Sequence, residues 1–306
     1  MELFERCLDK LSRLTRHPTM KYFPKRVYQR FLEVLWCCHL YRIPEPPLFC
    51  GFDGDLSILL STDVYHTRHL WFRGYMEYDE EYFLRQYVKP DMTIIDAGAN
   101  VGYISLLMAK RVLPGGSVHS FEPLSCTFDV LCRNIAANKL EDTVHANHAA
   151  LADQSGIMLE LETDVERSGL THLVVSATES PKAREQVAII TLDDYFTANE
   201  LDRVDLFKID VEGAEMMVVE GARETLTRYL PIVVCEFNCQ ALARFNSSAR
   251  DLWDLWDELE YKWFKYNHRR RELTVVSRPP SSGCETFVGT TEPNDLAQSV
   301  GATISS

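Results

Sequence analysis

The fold is decided by one stretch of sequence, Thr93-Ile-Ile-Asp-Ala-Gly-Ala-Asn-Val-Gly-Tyr103. It begins as a short apolar strand, turns at Gly98 and continues into a helical pattern. Gly98 permits a tight turn and Gly102 lets the helix approach closely, so the backbone N–H groups at the helix start face the strand end. The stretch therefore predicts a cradle for a nucleotide-type ligand.

The spacing within this stretch distinguishes between ligands. It reads GxNxG rather than GxGxxG, and Asp96 precedes it. A diphosphate needs backbone close by on all sides, whereas an acidic side chain repels a phosphate and attracts an ammonium group. Glu122, at the end of the next predicted strand, is placed to accept both hydroxyls of a ribose. The two carboxylates together predict a ligand that joins adenosine to a positive charge.

The pattern around this stretch predicts an α/β fold with a doubly wound, mostly parallel sheet. From about residue 91, apolar strands alternate with helical segments. The predicted parallel strands are Thr93–Asp96, Ser117–Glu122, Thr143–His148, Val204–Asp210 and Ile232–Glu236. Two further segments, Tyr261–Tyr266 and Glu272–Ser277, predict a C-terminal antiparallel hairpin that closes the sheet.

Four regions are predicted along the chain. Residues 1–47 form an N-terminal helical cap, residues 48–90 hold short strands and a lead-in helix, residues 91–278 form the main domain, and residues 279–306 form a flexible tail rich in Ser, Thr, Gly and Pro. A polar segment from Glu162 to Glu185 is predicted to be an insertion that lies over the site as a lid.

The composition excludes some classes of protein. The 306 residues carry a formal net charge of −13, which argues against a nucleic-acid partner. Nine cysteines without a CxxC pair fit neither a disulfide framework nor a zinc site and indicate a reducing compartment. No stretch reads as a membrane span or a cleavable signal. We therefore expect a cytoplasmic protein without a transmembrane segment.

Candidate catalytic residues lie at the ends of the fourth and fifth predicted strands. The sequence Lys208-Ile-Asp-Val-Glu-Gly-Ala-Glu215 puts Asp210 and Glu212 in the crevice at the carboxyl edge of the sheet, where Glu236 joins them. Asp210 and Glu212 are the candidate bases for an acceptor hydroxyl, and for Glu212 a helix cap is an equal alternative. Glu236 would orient the substrate by hydrogen bonds or cap a loop. A lesser alternative is an all-oxygen Mg²⁺ site formed by Asp210, Glu236 and Asn238.

Four ordered motifs resemble the FkbM family of S-adenosylmethionine-dependent methyltransferases. They are DAGANVGY at residues 96–103, FEP at 121–123, TLDDY at 191–195 and KIDVEGAE at 208–215. The resemblance implies a Rossmann-like class I methyltransferase fold, with a seven-stranded sheet, that uses S-adenosylmethionine. In that family the reaction is mainly O-methylation of a hydroxyl on a sugar, a glycan or a secondary metabolite.

The resemblance also implies where the cofactor lies. Glu122 would border the ribose, Asn147 and Ala150 the adenine, and Glu77 would close over the cofactor. The residues that would border its methionine part are Asp96, Gly98, Asn100 and Gly102. The fourth strand carries IDVE instead of the DPPY or NPPY of enzymes that methylate amines of bases or glutamine, which disfavours a nucleobase amine as acceptor.

Two alternatives remain open at this stage. A glycine turn followed by an acid on the second strand also occurs in NAD-dependent oxidoreductases, although the third glycine is missing here. A Rossmann-like binding module that has lost catalysis would keep the same cradle. We expect a small-molecule or glycan acceptor as partner, while the sequence specifies neither that acceptor nor the oligomeric state.

Overall fold

The computed structural model describes residues 48–59, 78–163, 172–173 and 183–305. The predicted N-terminal cap and much of the predicted insertion lie outside the described residues. The chain divides into two compact units, and the first contributes an antiparallel hairpin of β1 (Leu48–Phe52) and β2 (Leu56–Leu59). The other described elements belong to the second unit.

The second unit alternates strands and helices along its described residues. Its strands are β3 (Thr93–Ala97), β4 (Ser117–Phe121), β5 (Val144–Asn147), β6 (Ala150–Leu151), β7 (Ile157–Thr163), β8 (His172–Leu173), β9 (Ala183–Ile190), β10 (Leu206–Ile209), β11 (Ile232–Asn238), β12 (Lys262–Asn267), β13 (Glu272–Val276), β14 (Cys284–Thr290) and β15 (Thr303–Ser305). Its helices are α1 (Tyr78–Tyr87), α2 (Tyr103–Val112), α3 (Ser125–Ala137), α4 (Leu192–Ala198), α5 (Glu215–Glu220), α6 (Arg223–Tyr229), α7 (Cys239–Arg244), α8 (Ala249–Glu258) and α9 (Pro293–Val300).

The main sheet confirms the predicted α/β class and its largely parallel centre. Its strand order is β15-β13-β12-β14-β11-β10-β3-β4-β5, and the five strands from β11 to β5 are parallel. The predicted hairpin is present as the antiparallel pair β12–β13. The expected number of strands was wrong, because the described residues alone place nine strands in this sheet where seven were predicted.

The extra strands come from the segment that we predicted to be a flexible tail, and that prediction was also wrong. β14 lies between β11 and β12, with Phe287 opposite Cys235 and with both Phe287 and Val288 buried. β15 then pairs with β13 at the sheet edge. Polar residues flank the short apolar centre of β14, so the sequence pattern did not predict a strand there. Burial of this apolar centre supplies the free energy that holds β14 in the sheet.

Alternation along the central strands sets which side chains face which layer of helices. Ile95 and Ala97 belong to the same buried cluster as Phe207 and Ile209, on one face of the sheet. Asp96 and Lys208 lie between these residues in sequence and therefore on the opposite face. Since successive side chains alternate between layers that are both covered, all four residues of β10 are buried.

The aromatic residues late in the chain form part of the core. Trp253 and Trp256 on α8 pack against Trp263 on β12, with ring centroids 6.4 and 5.4 Å apart. Phe237 of β11 packs edge-on against Trp263 at 5.2 Å. These rings join the antiparallel part of the sheet to its parallel centre.

A smaller four-stranded sheet has the order β6-β9-β7-β8. Its strands β7 and β9 pair antiparallel. In the sequence they flank residues 164–171 and 174–182 of the predicted insertion, which lie outside the described part. Within the residues that the structure describes, no helix is long and apolar enough to cross a membrane.

Candidate active site

The carboxyl ends of the parallel strands meet at one edge of the main sheet. The register aligns Asp96 with Ser120 on one side and with Lys208 on the other, so the loops that follow these strands lie side by side. We call the part that follows β3, β4 and β5 the β3–β5 edge. The part that follows β10 and β11 is the β10–β11 edge, and open α/β sheets bind ligands along such an edge.

The glycine turn after β3 lies directly against the backbone that follows β10. Gly98 has a φ of +81°, and a Cβ atom there would lie 1.8 Å from the carbonyl oxygen of Asp210. Its N–H donates to the carbonyl of Phe121 at 3.0 Å. Only glycine combines this backbone conformation with so close an approach, so the turn joins the two edges.

The rest of the turn leads into α2. Asn100 has a φ of +50°, and its Oδ1 accepts from the N–H of Val101 at 2.7 Å. Gly102, the residue before the helix, has a φ of +90°, and a Cβ atom there would lie 2.6 Å from Leu131 of α3. The sequence prediction of a strand, a glycine turn and a closely packed helix is confirmed here.

Glu122 is held at the β3–β5 edge by backbone donors from both neighbouring loops. Its Oε2 accepts from the N–H of Asn100 at 3.0 Å, and its Oε1 accepts from the N–H of Leu124 at 3.0 Å. The side chain is buried, and burial raises the pKa of Glu122 to about 7, although the two amide donors lower it. A carboxylate has further lone pairs, so Glu122 can accept additional donors from a ligand.

The end of β5 carries a hydrogen-bonded network. Asn147 Nδ2 donates to the carbonyls of His145 at 2.9 Å and Ser120 at 3.2 Å, and lies 3.3 Å from Tyr195 Oη. Two carbonyl acceptors fix which way this amide points, because a carbonyl cannot donate. Ala150 lies beyond it at the start of β6, packed against Leu124.

Sequence reasoning gave no role to two members of this network. Tyr195 Oη lies 2.8 Å from Nδ1 of the buried His119. Burial, and then the neighbouring His145, lowers the pKa of His119 to about 4, so this ring is neutral at physiological pH. Tyr195 stands in the TLDDY motif, which was the available signal. For His119, the available signal was a histidine within the largely buried strand β4.

Asp96 is completely buried under α2. Ser105 Oγ donates to its Oδ2 at 2.6 Å, and Lys208 Nζ lies 3.8 Å from its Oδ1. Burial raises the pKa of Asp96, while the Lys208 ammonium group and the Ser105 hydroxyl lower it. Asp96 therefore has a cation of the protein itself beside it, which sequence reasoning missed. A lysine inside the apolar strand β10 was the signal.

Asp210 and Glu212 follow β10 as predicted. Asp210 is half-exposed, and its Oδ2 accepts from Lys208 Nζ at 3.1 Å. Glu212 has a φ of +55°, and burial, followed by the charges of Asp210 and Glu215, raises its pKa to about 7. The alternative that Glu212 caps a helix was wrong, because Ala214 is the N-cap of α5 and makes no side-chain capping bond.

Glu215 is a second residue that sequence reasoning left without a role. It is fully buried, its Oε1 accepts from the N–H of Gly213 at 3.0 Å, and its Oε2 has no hydrogen-bond partner among the described residues. Burial raises the pKa of Glu215 to about 7, against the effect of the Gly213 amide. Glu236 and Asp210 raise it further, so several acids affect one another at the β10–β11 edge.

Glu236 and Asn238 lie at the end of β11. Glu236 Oε1 accepts from the thiol of Cys284 at 2.8 Å, and Asn238 Oδ1 caps α7 by accepting from the N–H of Ala241 at 3.2 Å. Among the described residues, no group of three or more His, Cys, Asp or Glu side chains is arranged to hold a metal ion. Glu77, the remaining predicted cofactor residue, lies outside the described residues.

Known proteins resemble this chain in the same region. Residues 96–263 match the Methyltransferase FkbM domain. "Methyltransferase sdnD" of Sordaria araneosa is 31% identical over 169 residues, which cover 47% of this chain and 65% of that protein. "Methyltransferase 1" of Beauveria bassiana (strain ARSEF 2860) is 30% identical over 174 residues, which cover 52% of this chain and 69% of that protein.

A third relative comes from an archaeon. "Hexuronic acid methyltransferase AglP" of Haloferax volcanii is 25% identical over 176 residues, which cover 58% of this chain and 67% of that protein. The alignments thus span about two thirds of the length of these relatives. The matched region contains the glycine turn, Glu122 and the motif that follows β10. The predicted resemblance is confirmed, and the chain belongs to the FkbM methyltransferase family.

Proposed function

We propose that this chain is an S-adenosylmethionine-dependent methyltransferase that methylates a hydroxyl of a sugar, a glycan or a secondary metabolite. The observation that carries the proposal is the position of Glu122, held by the amides of Asn100 and Leu124 at the end of β4. A carboxylate fixed in this way keeps lone pairs free for the two ribose hydroxyls of a nucleoside. Family membership supports the same cofactor.

The residues at the β3–β5 edge fit the chemistry of this cofactor. Its sulfonium and amino groups are cationic, and its carboxylate is anionic. Asp96 and Glu122 supply negative charge, and the start of α2 supplies the positive end of a helix dipole for the carboxylate. Asn147 offers an amide of fixed orientation for the adenine. When bound, S-adenosylmethionine supplies an activated methyl group, and the protein supplies alignment and a base.

Glu212 is the residue best suited to be that base. Its pKa of about 7 matches the neutral range in which a base must accept a proton from a hydroxyl. Asp210 is paired with Lys208, and Glu236 accepts from Cys284, so both are better suited to orienting the acceptor. These carboxylates favour an acceptor without negative charge of its own, which would make a neutral sugar a better acceptor than a uronic acid.

Calorimetry with S-adenosylhomocysteine and with NAD tests the cofactor. We expect micromolar binding of S-adenosylhomocysteine and no binding of NAD. Asp96→Asn should weaken this binding severely because the cofactor's ammonium group loses its counter-charge. Binding of NAD without binding of S-adenosylhomocysteine would instead support the oxidoreductase alternative.

Transfer of a labelled methyl group to neutral and acidic sugars and to hydroxylated metabolites tests the reaction. Glu212→Gln should lower kcat by at least about 100-fold while leaving the Kd for S-adenosylhomocysteine unchanged. Glu224→Gln, an exposed position on α6, serves as the matched control and should change neither quantity. Equal loss of cofactor binding and turnover in Glu212→Gln would refute the division of roles.

A further inference from the structure

Lys208 is a cation buried inside the sheet. It is the third residue of the fully buried strand β10, and only 4% of its surface is exposed. Removing an ammonium group from water is strongly unfavourable unless anions compensate for the lost hydration. The compensating groups therefore indicate what Lys208 does.

Two carboxylates from different strands face this ammonium group. Lys208 Nζ lies 3.1 Å from Asp210 Oδ2 and 3.8 Å from Asp96 Oδ1. Asp96 is the register partner of Lys208 on β3, so the sheet itself fixes their separation. Asp96 Oδ1 has no hydrogen-bond partner among the described residues, whereas Oδ2 accepts from Ser105. The ammonium group is thus the charged neighbour of the otherwise unbonded oxygen.

We propose that Lys208 is a positioning residue that links the two edges of the active site by fixing the Asp96 and Asp210 carboxylates relative to each other. This inference rests on the proposed function, in which Asp96 faces the cofactor and Asp210 the acceptor. Lys208 acts through these two carboxylates and touches neither substrate. A single buried charge thereby aligns the methyl donor with the hydroxyl that receives it.

The surroundings of Lys208 exclude a role as the base. Burial lowers the pKa of Lys208, but the charges of Asp210, Asp96 and Glu80 outweigh it and raise the pKa above its usual value. The charge of Lys208 in turn partly offsets the burial and the neighbouring acids that raise the pKa values of Glu212 and Cys235. Lys208 therefore stays charged throughout the working pH range and serves as a fixed counter-ion.

Loss of this charge should affect the two carboxylates differently. Asp96 is completely buried and would keep only its bond from Ser105, so the pKa of Asp96 would rise further. Asp210 is half-exposed, so water would solvate it, but its orientation would no longer be fixed. We therefore expect weaker cofactor binding that recovers as pH rises, together with slower turnover.

The experiment compares Lys208→Met with Lys208→Arg by calorimetry with S-adenosylhomocysteine between about pH 6 and pH 9. Lys208→Met should weaken the binding of S-adenosylhomocysteine at neutral pH by at least about tenfold, and the midpoint of its pH dependence should shift to higher pH. The variant should also lower kcat more than it changes the KM for the acceptor. Lys208→Arg, which keeps the charge, should restore the pH profile of the unchanged protein.

The double variant Asp96→Asn with Lys208→Met measures the coupling between Lys208 and Asp96. It also removes the buried charge of Asp96, which would be unpaired in Lys208→Met, and so serves if Lys208→Met alone fails to fold. Because Asp96 is then already neutral, its Kd should equal that of Asp96→Asn alone. Additive losses would overturn the proposal, as would a folded Lys208→Met protein with unchanged Kd, kcat and pH profile.

The two proposals can fail separately. A ¹³C NMR titration of Asp96 without any cofactor should show its pKa raised in Lys208→Met relative to the unchanged protein. If the unchanged protein binds no S-adenosylhomocysteine, the proposed function fails. The NMR titration then still tests the Lys208–Asp96 link, and an unmoved Asp96 pKa would overturn that link.

Discussion

The two edges of the crevice hold their carboxylates with different neighbours. At the β3–β5 edge, Glu122 accepts from two backbone amides and Asp96 accepts from a serine hydroxyl. At the β10–β11 edge, burial is the main cause that raises the pKa values of Glu212 and Glu215, and the charge of Asp210 raises both further. Burial opposes ionisation at both edges, but backbone donors act against burial at Glu122, whereas the charge of Asp210 adds to burial at Glu212. We infer that the first edge binds a fixed cofactor and the second exchanges protons.

The largest expected effect comes from Gly98, where the two edges touch. Gly98→Ala should destabilise the fold by at least about 3 kcal/mol, because the new Cβ atom would overlap the carbonyl oxygen of Asp210 in addition to the strain of a positive φ. Urea unfolding followed by circular dichroism measures the change. A protein of unchanged stability would break the premise that the turn fixes one edge against the other.

Gly156 provides the matched control for this substitution. Its φ of +80° is nearly the same as that of Gly98, yet nothing lies within 4 Å of its Cβ position. Gly156→Ala should therefore destabilise the fold only by the strain of a positive φ, about 1–2 kcal/mol. The difference between the two variants measures the close approach at Gly98 alone.

The next effect concerns the stability of the β10–β11 edge. The pKa of Glu215 is raised from 4.5 to about 7, so the folded state holds this proton more tightly than the unfolded state does. Its contribution to stability is complete below about pH 4.5 and is lost as pH rises through about 7. Glu215→Gln should therefore increase the free energy of unfolding above pH 7 by up to about 3 kcal/mol.

Urea unfolding at an acidic and an alkaline pH checks both the size and the sign of this effect. Glu215→Gln keeps the acceptor for the Gly213 amide, so the two proteins should be nearly equal in stability at about pH 4.5. Glu224→Gln, at an exposed position, should show no such divergence. A Glu215→Gln protein that is less stable at alkaline pH would contradict the view that ionisation strains this edge.

The sequence predicted the β3–β5 edge better than the β10–β11 edge, for a physical reason. Local rules specify a strand, a glycine turn and a helix, so the turn around Gly98 could be read from adjacent residues. The burial of Glu215 and the pairing of Lys208 with Asp96 depend on residues far apart in the chain. Sequence spacing cannot report the desolvation that controls their charges.

The error about the C-terminal segment has a similar origin. The composition of residues 279–306 is polar, and composition alone favoured a tail without structure. β14 nevertheless lies between β11 and β12, because its few apolar residues pack against an apolar surface that distant parts of the chain form. A strand that depends on such tertiary pairing carries a weak local signal.

A smaller effect sharpens the role of Glu122. Ribose hydroxyls donate to the ionised carboxylate, so the affinity for S-adenosylhomocysteine should rise as pH increases through about 7, the pKa of Glu122. Between about pH 6 and pH 8 we expect a gain of up to about tenfold. Glu122→Gln should bind more weakly and lose this pH dependence, because an amide nitrogen would face a backbone donor.

Glu215→Gln is the control for this pH dependence. Its carboxyl group also has a pKa of about 7 but belongs to the β10–β11 edge, so this variant should keep the slope of binding against pH. Calorimetry on the three proteins in matched buffers makes the comparison. If the slope disappears in Glu215→Gln and persists in Glu122→Gln, the assignment of the two edges is reversed.

The smallest expected effect concerns the support of Asn147. Tyr195→Phe removes the hydroxyl between His119 and Asn147 but leaves the two carbonyl acceptors of the Asn147 amide in place. The Kd for S-adenosylhomocysteine should therefore increase by less than about tenfold, as expected for the loss of the one neutral hydrogen bond that joins Tyr195 to Asn147.

Tyr229→Phe provides the comparison for Tyr195→Phe. Tyr229→Phe likewise removes a tyrosine hydroxyl, in this case one that donates to the carbonyl of Leu201. Tyr229 lies away from the β3–β5 edge, so this variant should leave the Kd unchanged. A Tyr195→Phe protein with unchanged affinity would separate the network from the cofactor. A loss of about 100-fold or more would mean that Tyr195 itself contacts the cofactor, because one buried supporting bond cannot account for so large a change.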